Sequence, residues 1–392
     1  MASAEAAAET EIEAIVEAAD PNQQSGGSEA GREPSTARSQ SEWQFGAFLD
    51  VGYLNSLNDP SNHLFRSRGT TPLVDERKIN MGGAYVRRKA TESSRWGMEL
   101  TGHDGEDSKL FGFSATAPNM GSADWLLHFG PTNASYLAPV GTGLTLQGGI
   151  FSSFIGYDSL YAKDNFTYTR PWAADFTPYL MLGVNGSYAV SDRLTLTGFV
   201  VNGYWHLAHA NDTPNFGGQL AFKSSEHWTV KETVLIGPHQ EDTSLDFWRY
   251  LSNTIVEHKT ERLTTALDLH VSTEKVDEPG SPHAWWVAVQ VPVHWVIHGP
   301  WSLTVRPEWA WDSHGRWTTF EQTVRAITST VEYRASVRQF QAILRLEHRY
   351  DYSTGLEGGF FEDVEPGVVG LTPRQHLLIF GLILTADGRV GA

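Results

Sequence analysis

Apolar and polar residues alternate along two neighbouring stretches of the chain, residues 285–297 and 301–312. Every odd position of the first stretch holds Trp, Val or Ile, and the odd positions of the second hold Trp, Leu, Val or Pro. A period of two predicts β-strands, because successive side chains of a strand point to opposite faces. The second strand carries Arg306 and Glu308 at the middle of its polar face. An apolar face with Trp near its ends, opposite mid-strand charges, is typical of a strand between lipid and a water-filled lumen.

The same alternation predicts sixteen strands after residue 42. We place them at residues 43–54, 79–90, 94–103, 132–138, 142–152, 177–190, 193–204, 215–224, 227–237, 247–258, 261–273, 284–297, 301–312, 323–335, 338–351 and 375–386. Short turns follow the even-numbered strands, whereas odd-numbered strands are followed by longer segments, including 55–78, 104–131, 153–176 and 352–374. Outer-membrane barrels have short periplasmic turns and longer outer loops. The predicted fold is all-β, a transmembrane antiparallel β-barrel of about 16 strands over residues 42–392.

Three positions do not fit these faces. Glu232 falls on the apolar face of its strand, and Pro292 and Pro307 lie inside strands, where proline cannot donate a ladder hydrogen bond. At Glu232 a β-bulge is the expected explanation, because a bulge inserts an unpaired residue and re-aims its neighbours. At the two prolines we expect either a bulge or a strand register that differs from the one placed above.

Composition agrees with a membrane barrel. Aromatic residues make up 12% of the chain and charged residues 19%, whereas soluble domains have roughly 25% charged residues. No stretch reaches the 18 or more apolar residues of a membrane helix, so the predicted spans are strands. The chain has no cysteine, which excludes disulfides and thiolate metal sites.

The N-terminal 41 residues form a separate region. Residues 4–19 predict a short Ala/Glu helix, either a site of partner binding or self-association or, more simply, a marginal solvated helix, and residues 20–41 predict a flexible linker. The first residues lack the basic start and apolar core of a secretory signal, so either a signal was removed or the protein is not exported. The barrel pattern favours a removed signal. The net charge of the chain is −17. Residues 1–42 contribute −7 of this charge, from nine acidic and two basic residues, and the rest of the chain contributes −10. This balance argues against nucleic acid as a partner and weakly favours cations in a pore.

One long segment carries a resemblance to a known family. The stretch GYDSLYAKDNFTYTRPWAADFTPY (156–179), with VNGYWHLAHANDTPNFGGQL (201–220) and SYLAPVGTGLTLQGGIFSSFIGY (135–157), resembles the OmpL-like outer-membrane β-barrel porins. The resemblance implies a bacterial outer-membrane porin without catalytic residues. It also implies that loop 153–176, between the fifth and sixth strands, folds into the barrel and narrows it. The charged residues of this constriction loop are Asp158, Lys163, Asp164, Arg170 and Asp175. Many such barrels carry an aromatic residue at the C-terminal position, whereas this sequence ends in Ala392.

Mid-strand charges on consecutive strands are the candidate pore lining. They are Arg306, Glu308, Glu332, Arg334, Arg345, Glu347 and Arg349. One interpretation is a salt-bridge ladder that fills and stiffens the wall. The other is a transverse field, with these basic residues facing the loop acids Asp158, Asp164 and Asp175, which would orient dipolar solutes. Both interpretations can hold together.

Other clusters give little support to catalysis or metal binding. His206, His209 and Asp212 have metal-like spacing but lie among ordinary turn residues, and His258 with Glu261 spans a tight turn. No G-x-S-x-G motif is present, and the Gly pairs lack the strand–turn–helix context of phosphate loops. We therefore predict no catalytic residue, no metal and no cofactor.

Together these features predict a porin that passes small hydrophilic solutes or ions. Its expected partners are the lipid bilayer of the outer membrane, the solutes and, by analogy alone, two further copies in a homotrimer. The alternatives are a non-conducting barrel that acts as an adhesin or anchor, a barrel enzyme acting on lipids or glycans, and a soluble β-rich carbohydrate-binding protein.

Overall fold

The computed structural model describes residues 42–391, apart from 111–123, 205–206, 208–212, 239–246, 277–278 and 281. The predicted helix at 4–19 and the linker at 20–41 lie outside these residues, as do His206, His209 and Asp212.

Alternation of apolar and polar side chains produces one closed antiparallel sheet, as predicted. Its strands are β1 (Glu42–Ser56), β2 (Arg77–Arg88), β3 (Trp96–Asp104), β4 (Thr132–Ala138), β5 (Leu144–Ser152), β6 (Leu180–Ser191), β7 (Leu194–Val201), β8 (Asn215–Lys223), β9 (Trp228–Pro238), β10 (Trp248–Lys259), β11 (Leu263–Lys275), β12 (His283–Gln290), β13 (Val293–His298), β14 (Trp301–Asp312), β15 (Gln322–Val337), β16 (Phe340–Thr354) and β19 (Arg374–Gly391). β1 pairs with β19 along its whole length, which closes the barrel. Since β12 and β13 form one interrupted crossing, the barrel has sixteen crossings.

The remaining elements lie in the connections. A hairpin of β17 (Phe360–Glu365) and β18 (Val368–Thr372) stands in the last outer loop, for which the sequence pattern predicted only a long segment. The helices are α1 (Glu106–Leu110) and α2 (Trp172–Asp175), and 3-10 turns occupy Asp124–His128 and Ala162–Asp164. Among the described residues, none of the helices has the length and apolar character needed to cross a membrane.

The two prolines behave differently from each other. The pairing stops at Val291 and Pro292, between β12 and β13, and the carbonyl of Pro292 accepts the Ala266 N–H at 3.2 Å. This interruption is the irregularity expected at Pro292. Pro307 instead pairs in register with Ile327, so β14 has no bulge there.

Glu232 also needs no bulge. Its strand pairs with β8 and β10 in unbroken register, and the side chain points outward with its neighbour Val234. The hydroxyls of Ser252 and Thr254 on β10 donate to its two carboxylate oxygens, at 2.6 Å for Ser252. The bulge prediction was therefore wrong, because two hydroxyls satisfy the carboxylate on the outer face.

The inside and outside of the barrel differ as the pattern requires. Apolar side chains such as Leu344, Leu346 and Phe380 are exposed on the outer face. On the same strands Arg345, Glu347 and other charged residues point inward and are buried. These inward charges are buried because loop residues occupy part of the interior, and that region contains the candidate site.

Candidate channel constriction

Loop 153–176 lies inside the barrel, between the ends of β5 and β6. Its side chains reach distant strands: the Tyr157 hydroxyl donates to Glu257 at 2.7 Å, and the Trp172 indole N–H donates to Asp351 at 2.8 Å. Most of the loop, including α2, is buried. A peptide segment without sheet partners must find acceptors and donors for its backbone, and here the wall supplies them.

The first group of wall residues holds the middle of the loop. The Arg345 guanidinium donates to the carbonyls of Ala162 at 2.8 Å and Thr167 at 3.0 Å. The Glu347 carboxylate accepts the backbone N–H of Tyr168 at 2.6 Å and of Thr169 at 3.0 Å. Hydrogen bonds to ionised groups are about twice as strong as neutral ones, so these two side chains are the principal anchors of the loop.

A second group holds the end of the loop. Glu308 accepts the N–H of Trp172 at 2.7 Å, and Arg349 donates to the carbonyl of Arg170 at 3.1 Å. Arg349 also pairs with Glu308 at 3.1 Å, and Arg306 with Glu308 at 3.0 Å. These charges therefore form the ladder that one interpretation predicted, and they bind the loop as well. Asp351, which pairs with Arg349 at 2.9 Å, belongs to the same group and was not predicted.

Two of the predicted wall residues lie closer to the periplasmic end. Glu332 accepts from Arg345 at 2.8 Å and pairs with Arg334 at 3.0 Å. Arg334 also donates to Gln341 at 2.9 Å. Glu332 therefore supports the loop indirectly, by fixing the guanidinium of Arg345.

The loop acids do not all face the wall arginines. Asp175 pairs with Arg68 at 2.7 Å, and Arg170 lies 3.5 Å from Asp107, so both bind the first two outer loops. Lys163 and Asp164 pair with each other at 2.9 Å. Asp158 and Asp164 lie on the side of the loop toward Arg306, and the transverse field remains a prediction.

These two acids line a small cavity of about 10 Å³ beside the loop, which is room for one water molecule. Its lining residues are Tyr157, Asp158, Asp164, Asn165, Phe166, Thr167, Pro292 and Arg306. The carboxylate of Asp158 accepts from Gln290 at 2.5 Å. Opposite charges therefore meet here around a polar space at the edge of the loop.

A pair of glycines on the barrel wall makes room for the ring of Tyr168 in the loop. Gly52 on β1 and Gly381 on β19 are paired directly, and a Cβ added to either would collide with the ring of Tyr168. The Tyr168 hydroxyl donates to Asp50 at 2.5 Å and accepts from Asn80 at 2.5 Å. The sequence pattern did not predict this glycine pair. Its only signal is a glycine at an inward position of each terminal strand, which gains meaning once closure brings the two strands together.

Aromatic residues of the loop and of the surrounding barrel pack together on the outer side of the lumen. The stacked rings of Trp172 and Phe176 lie 6.1 Å apart, and those of Trp286 and Trp317 lie 6.3 Å apart. All four side chains are buried in one apolar cluster with Phe360 from the outer hairpin. The outer half of this side of the lumen is thus packed.

One titratable group in the outer loops has an unusual environment. Asp107 in α1 is fully buried, accepts the N–H of Thr71 at 2.7 Å and faces Arg170. Burial raises the pKa of Asp107 to about 7, and the charge of Arg170 opposes this rise. The carboxyl therefore changes charge near neutral pH, at the junction of three loops.

Within the described part of the chain, no three His, Asp or Glu side chains come together as a metal-ligand group. His258 and Glu261 flank the turn after β10, and the ring of His258 packs against that of Trp228 at a centroid distance of 4.5 Å.

Solved structures with the same barrel are porins and outer-membrane proteins. An anion-selective porin from Comamonas acidovorans aligns with a TM-score of 0.56 and 7% identity, over 89% of this chain and 100% of the porin. OmpF of Salmonella typhi, in a complex with daunomycin, gives 0.55 and 9%, over 91% and 100%. OmpT of Vibrio cholerae in its trimer form gives 0.54 and 9%, over 89% and 100%. Identities this low show a shared fold. No curated protein matches the sequence.

One protein-family model matches the sequence over nearly the whole barrel. The model described as "Putative beta-barrel porin-2, OmpL-like" matches residues 42–385, which is most of the chain and all of the barrel before its last residues. The resemblance stated from residues 135–220 is thereby confirmed. The chain belongs to the OmpL-like beta-barrel porin-2 family, and it is a porin-type barrel of the bacterial outer membrane.

Proposed function

We propose that the barrel conducts ions and small hydrophilic solutes, and that loop 153–176 sets the width of its passage. The observation that carries this proposal is the attachment of the loop to the inner wall by Arg345, Glu347, Glu308 and Arg349. A carboxylate or guanidinium inside a barrel is expensive unless satisfied, so four of them devoted to one loop favour a functional position for it.

The periplasmic side of the lumen suits hydrophilic solutes. Polar side chains line it, of which Gln44, Arg87, Gln147 and Gln341 are partly exposed and Asp387 is exposed. Arg87 donates to Gln44 at 2.9 Å, in keeping with a hydrated mouth rather than an apolar one. The acidic balance of the chain supports a mild preference for cations.

Single-channel recording in a planar bilayer tests the proposal. The purified chain should give discrete current steps, and removal of residues 159–167 should raise the conductance of each step. The matched control removes Pro366 and Gly367, at the exposed tip of the outer hairpin, and should leave the steps unchanged. A salt gradient gives the ion preference from the reversal potential. Steps that do not change when residues 159–167 are removed would contradict the constriction.

A non-conducting barrel is the second candidate. The buried aromatic cluster of Trp172, Phe176, Trp286 and Trp317 favours it, since this packing resembles a plugged lumen. Insertion without current, in both the full chain and the variant lacking residues 159–167, would support a surface adhesin or anchor and reject the porin proposal.

We further propose a homotrimer and no enzymatic activity. The trimer form of OmpT among the structures with this fold supports the first point, and the membership in a porin family supports the second. Light scattering of the detergent-solubilised chain, corrected for bound detergent, should give three times the mass of 43.4 kDa.

A further inference from the structure

Two arginines face the lipid at the outer end of the barrel wall. Arg325 on β15 alternates with the inward residues Val324 and Ala326, and Arg374 begins β19. Both side chains are exposed. Neither has a carboxylate partner among the residues that the structure describes. An arginine on a lipid-facing surface without a counter-charge calls for an anionic partner outside the chain.

The strand register brings these arginines to one place. Arg325 pairs with Tyr352 on β16, and Tyr352 pairs with Arg374 on β19, so the three residues form one row on the outer face. Adjacent strands lie about 4.8 Å apart, which puts the two arginine backbones about 10 Å from each other. Arginine side chains are long enough to converge over the tyrosine between them on a single group.

A histidine pair lies beside this row. The Nε2 atom of His348 is 3.2 Å from the Nδ1 atom of His376, and the ring of Tyr350 lies 4.6 Å from that of His376. Tyr350 pairs across the strands with His376, two residues along each strand from the pair of Tyr352 and Arg374 and on the same face. One imidazole donates to the other, and the outer nitrogen of each ring remains able to contact a polar ligand.

The row stands at the level of lipid headgroups. Trp309 pairs with Arg325, and Trp309 and Trp311 occupy the outer end of β14 just as Tyr350 and Tyr352 occupy that of β16. Aromatic residues of membrane barrels gather at the two interfaces. Toward the membrane centre, beyond Ser329 and His348, the outward residues are apolar and exposed, as at Val331, Leu346 and Phe380.

We propose that this row, Arg325–Tyr352–Arg374 with the His348–His376 pair, binds the phosphorylated headgroup of one outer-leaflet lipid. The planar guanidinium donates two parallel hydrogen bonds to phosphate, and two of them flanking one position can satisfy most of the oxygens of a phosphomonoester. The apolar side chains below the row receive the acyl chains, which selects a lipid over free phosphate. This site is independent of the channel function and stands whether or not the barrel conducts.

Native mass spectrometry of the full chain in detergent tests the proposal, with phosphatidic acid as the probe and phosphatidylcholine as the comparison. We expect one tightly bound phosphatidic acid per chain and at least about tenfold weaker binding of phosphatidylcholine. The double variant Arg325→Gln/Arg374→Gln should lose this preference. The double variant Arg325→Lys/Arg374→Lys keeps the charge without the paired donors, and should fall between the two.

Arg338→Gln is the matched control, since it removes one positive charge from the turn at the opposite end of the β15–β16 hairpin. It should bind phosphatidic acid as the unmodified chain does. The proposal is overturned by equal affinity for the two lipids, by an equal loss in Arg338→Gln, or by full displacement of the lipid by an equimolar amount of inorganic phosphate. If a double variant fails to fold, the single variants Arg325→Gln and Arg374→Gln replace it, and a preference for phosphatidic acid that neither of them reduces overturns the proposal.

Discussion

Glu347→Gln is the sharpest test of how the loop is held. Four hydrogen bonds converge on this carboxylate, from the backbone N–H groups of Tyr168 and Thr169, from the Thr169 hydroxyl and from the Thr330 hydroxyl at 2.6 Å. The two backbone groups bond to different oxygens. Glutamine keeps one oxygen and turns the other into an amide donor, so one loop N–H must face a donor in a site from which water is excluded.

The expected loss follows from that geometry. Removing one hydrogen bond to a charged group and leaving a buried N–H unpaired weakens the attachment by about 2–4 kcal/mol. This change raises the ratio of released to attached loop by about 30-fold to about 1,000-fold. Other anchors, Arg345 and Glu308 among them, remain, so the loop should detach intermittently rather than permanently.

Planar-bilayer recording should therefore show brief excursions to a larger conductance in Glu347→Gln. Hydrogen exchange of the Tyr168 and Thr169 amides should accelerate in parallel. The matched control is Asp387→Asn, which removes the same charge from the periplasmic mouth, where Asp387 accepts from the Tyr85 hydroxyl at 2.6 Å and does not contact loop 153–176 within the described residues. If Glu347→Gln and the control give the same currents and the same exchange rates as the unmodified chain, the wall charges do not hold the loop and the reasoning is refuted.

Two further predictions concern the loop tip and the outer loops. In Gly381→Ala the new methyl group collides with the Tyr168 ring, so the loop should be released more often and the thermal unfolding midpoint should fall, whereas Gly198→Ala, with open space around its Cβ, should leave both unchanged. For Asp107, the pKa of about 7 in the folded protein lies above the ordinary value because of burial. Its stabilising contribution is fully present at low pH and is lost as the pH rises through about 7, so current openings should be more frequent at pH 8 than at pH 5, and Asp107→Asn should remove this dependence.

The strands could be predicted because each has two unlike environments. β14 was predicted at 301–312 and occupies Trp301–Asp312, since lipid on one side and the lumen on the other impose strict alternation on every residue. The outer hairpin of β17 and β18 was not predicted, because beyond Phe360 its side chains are partly or fully exposed on both faces and no strict alternation is imposed on them. The alternation also cannot predict hydrogen-bond partners across strands. It located Glu232 on the outer face, but only the structure shows that the hydroxyls of Ser252 and Thr254 donate to its carboxylate.

For the channel constriction, the sequence could predict which charged residues face the lumen but not which groups they bind. The inward charges on β14 to β16 follow from strand parity, and so does their proximity to one another. Their partners do not, since Arg68 and Asp107 bind Asp175 and Arg170 from outer loops whose positions no local pattern determines. Asp175 was expected to face the wall arginines and lies against another loop, because three loops fold inward together and satisfy one another's charges.

The pairing of β1 with β19 has a consequence for biogenesis. Fifteen consecutive residue pairs, from Glu42 with Gly391 to Ser56 with Leu377, join the two ends of the described chain. Until the last strand has been made, the first strand is an exposed edge with unsatisfied backbone groups, which in lipid are costly and in water invite aggregation. Contacts between such distant residues also make folding slow. The first strand must therefore be covered by another partner until the last strand has been made and pairs with it, so closure is the final step of barrel assembly.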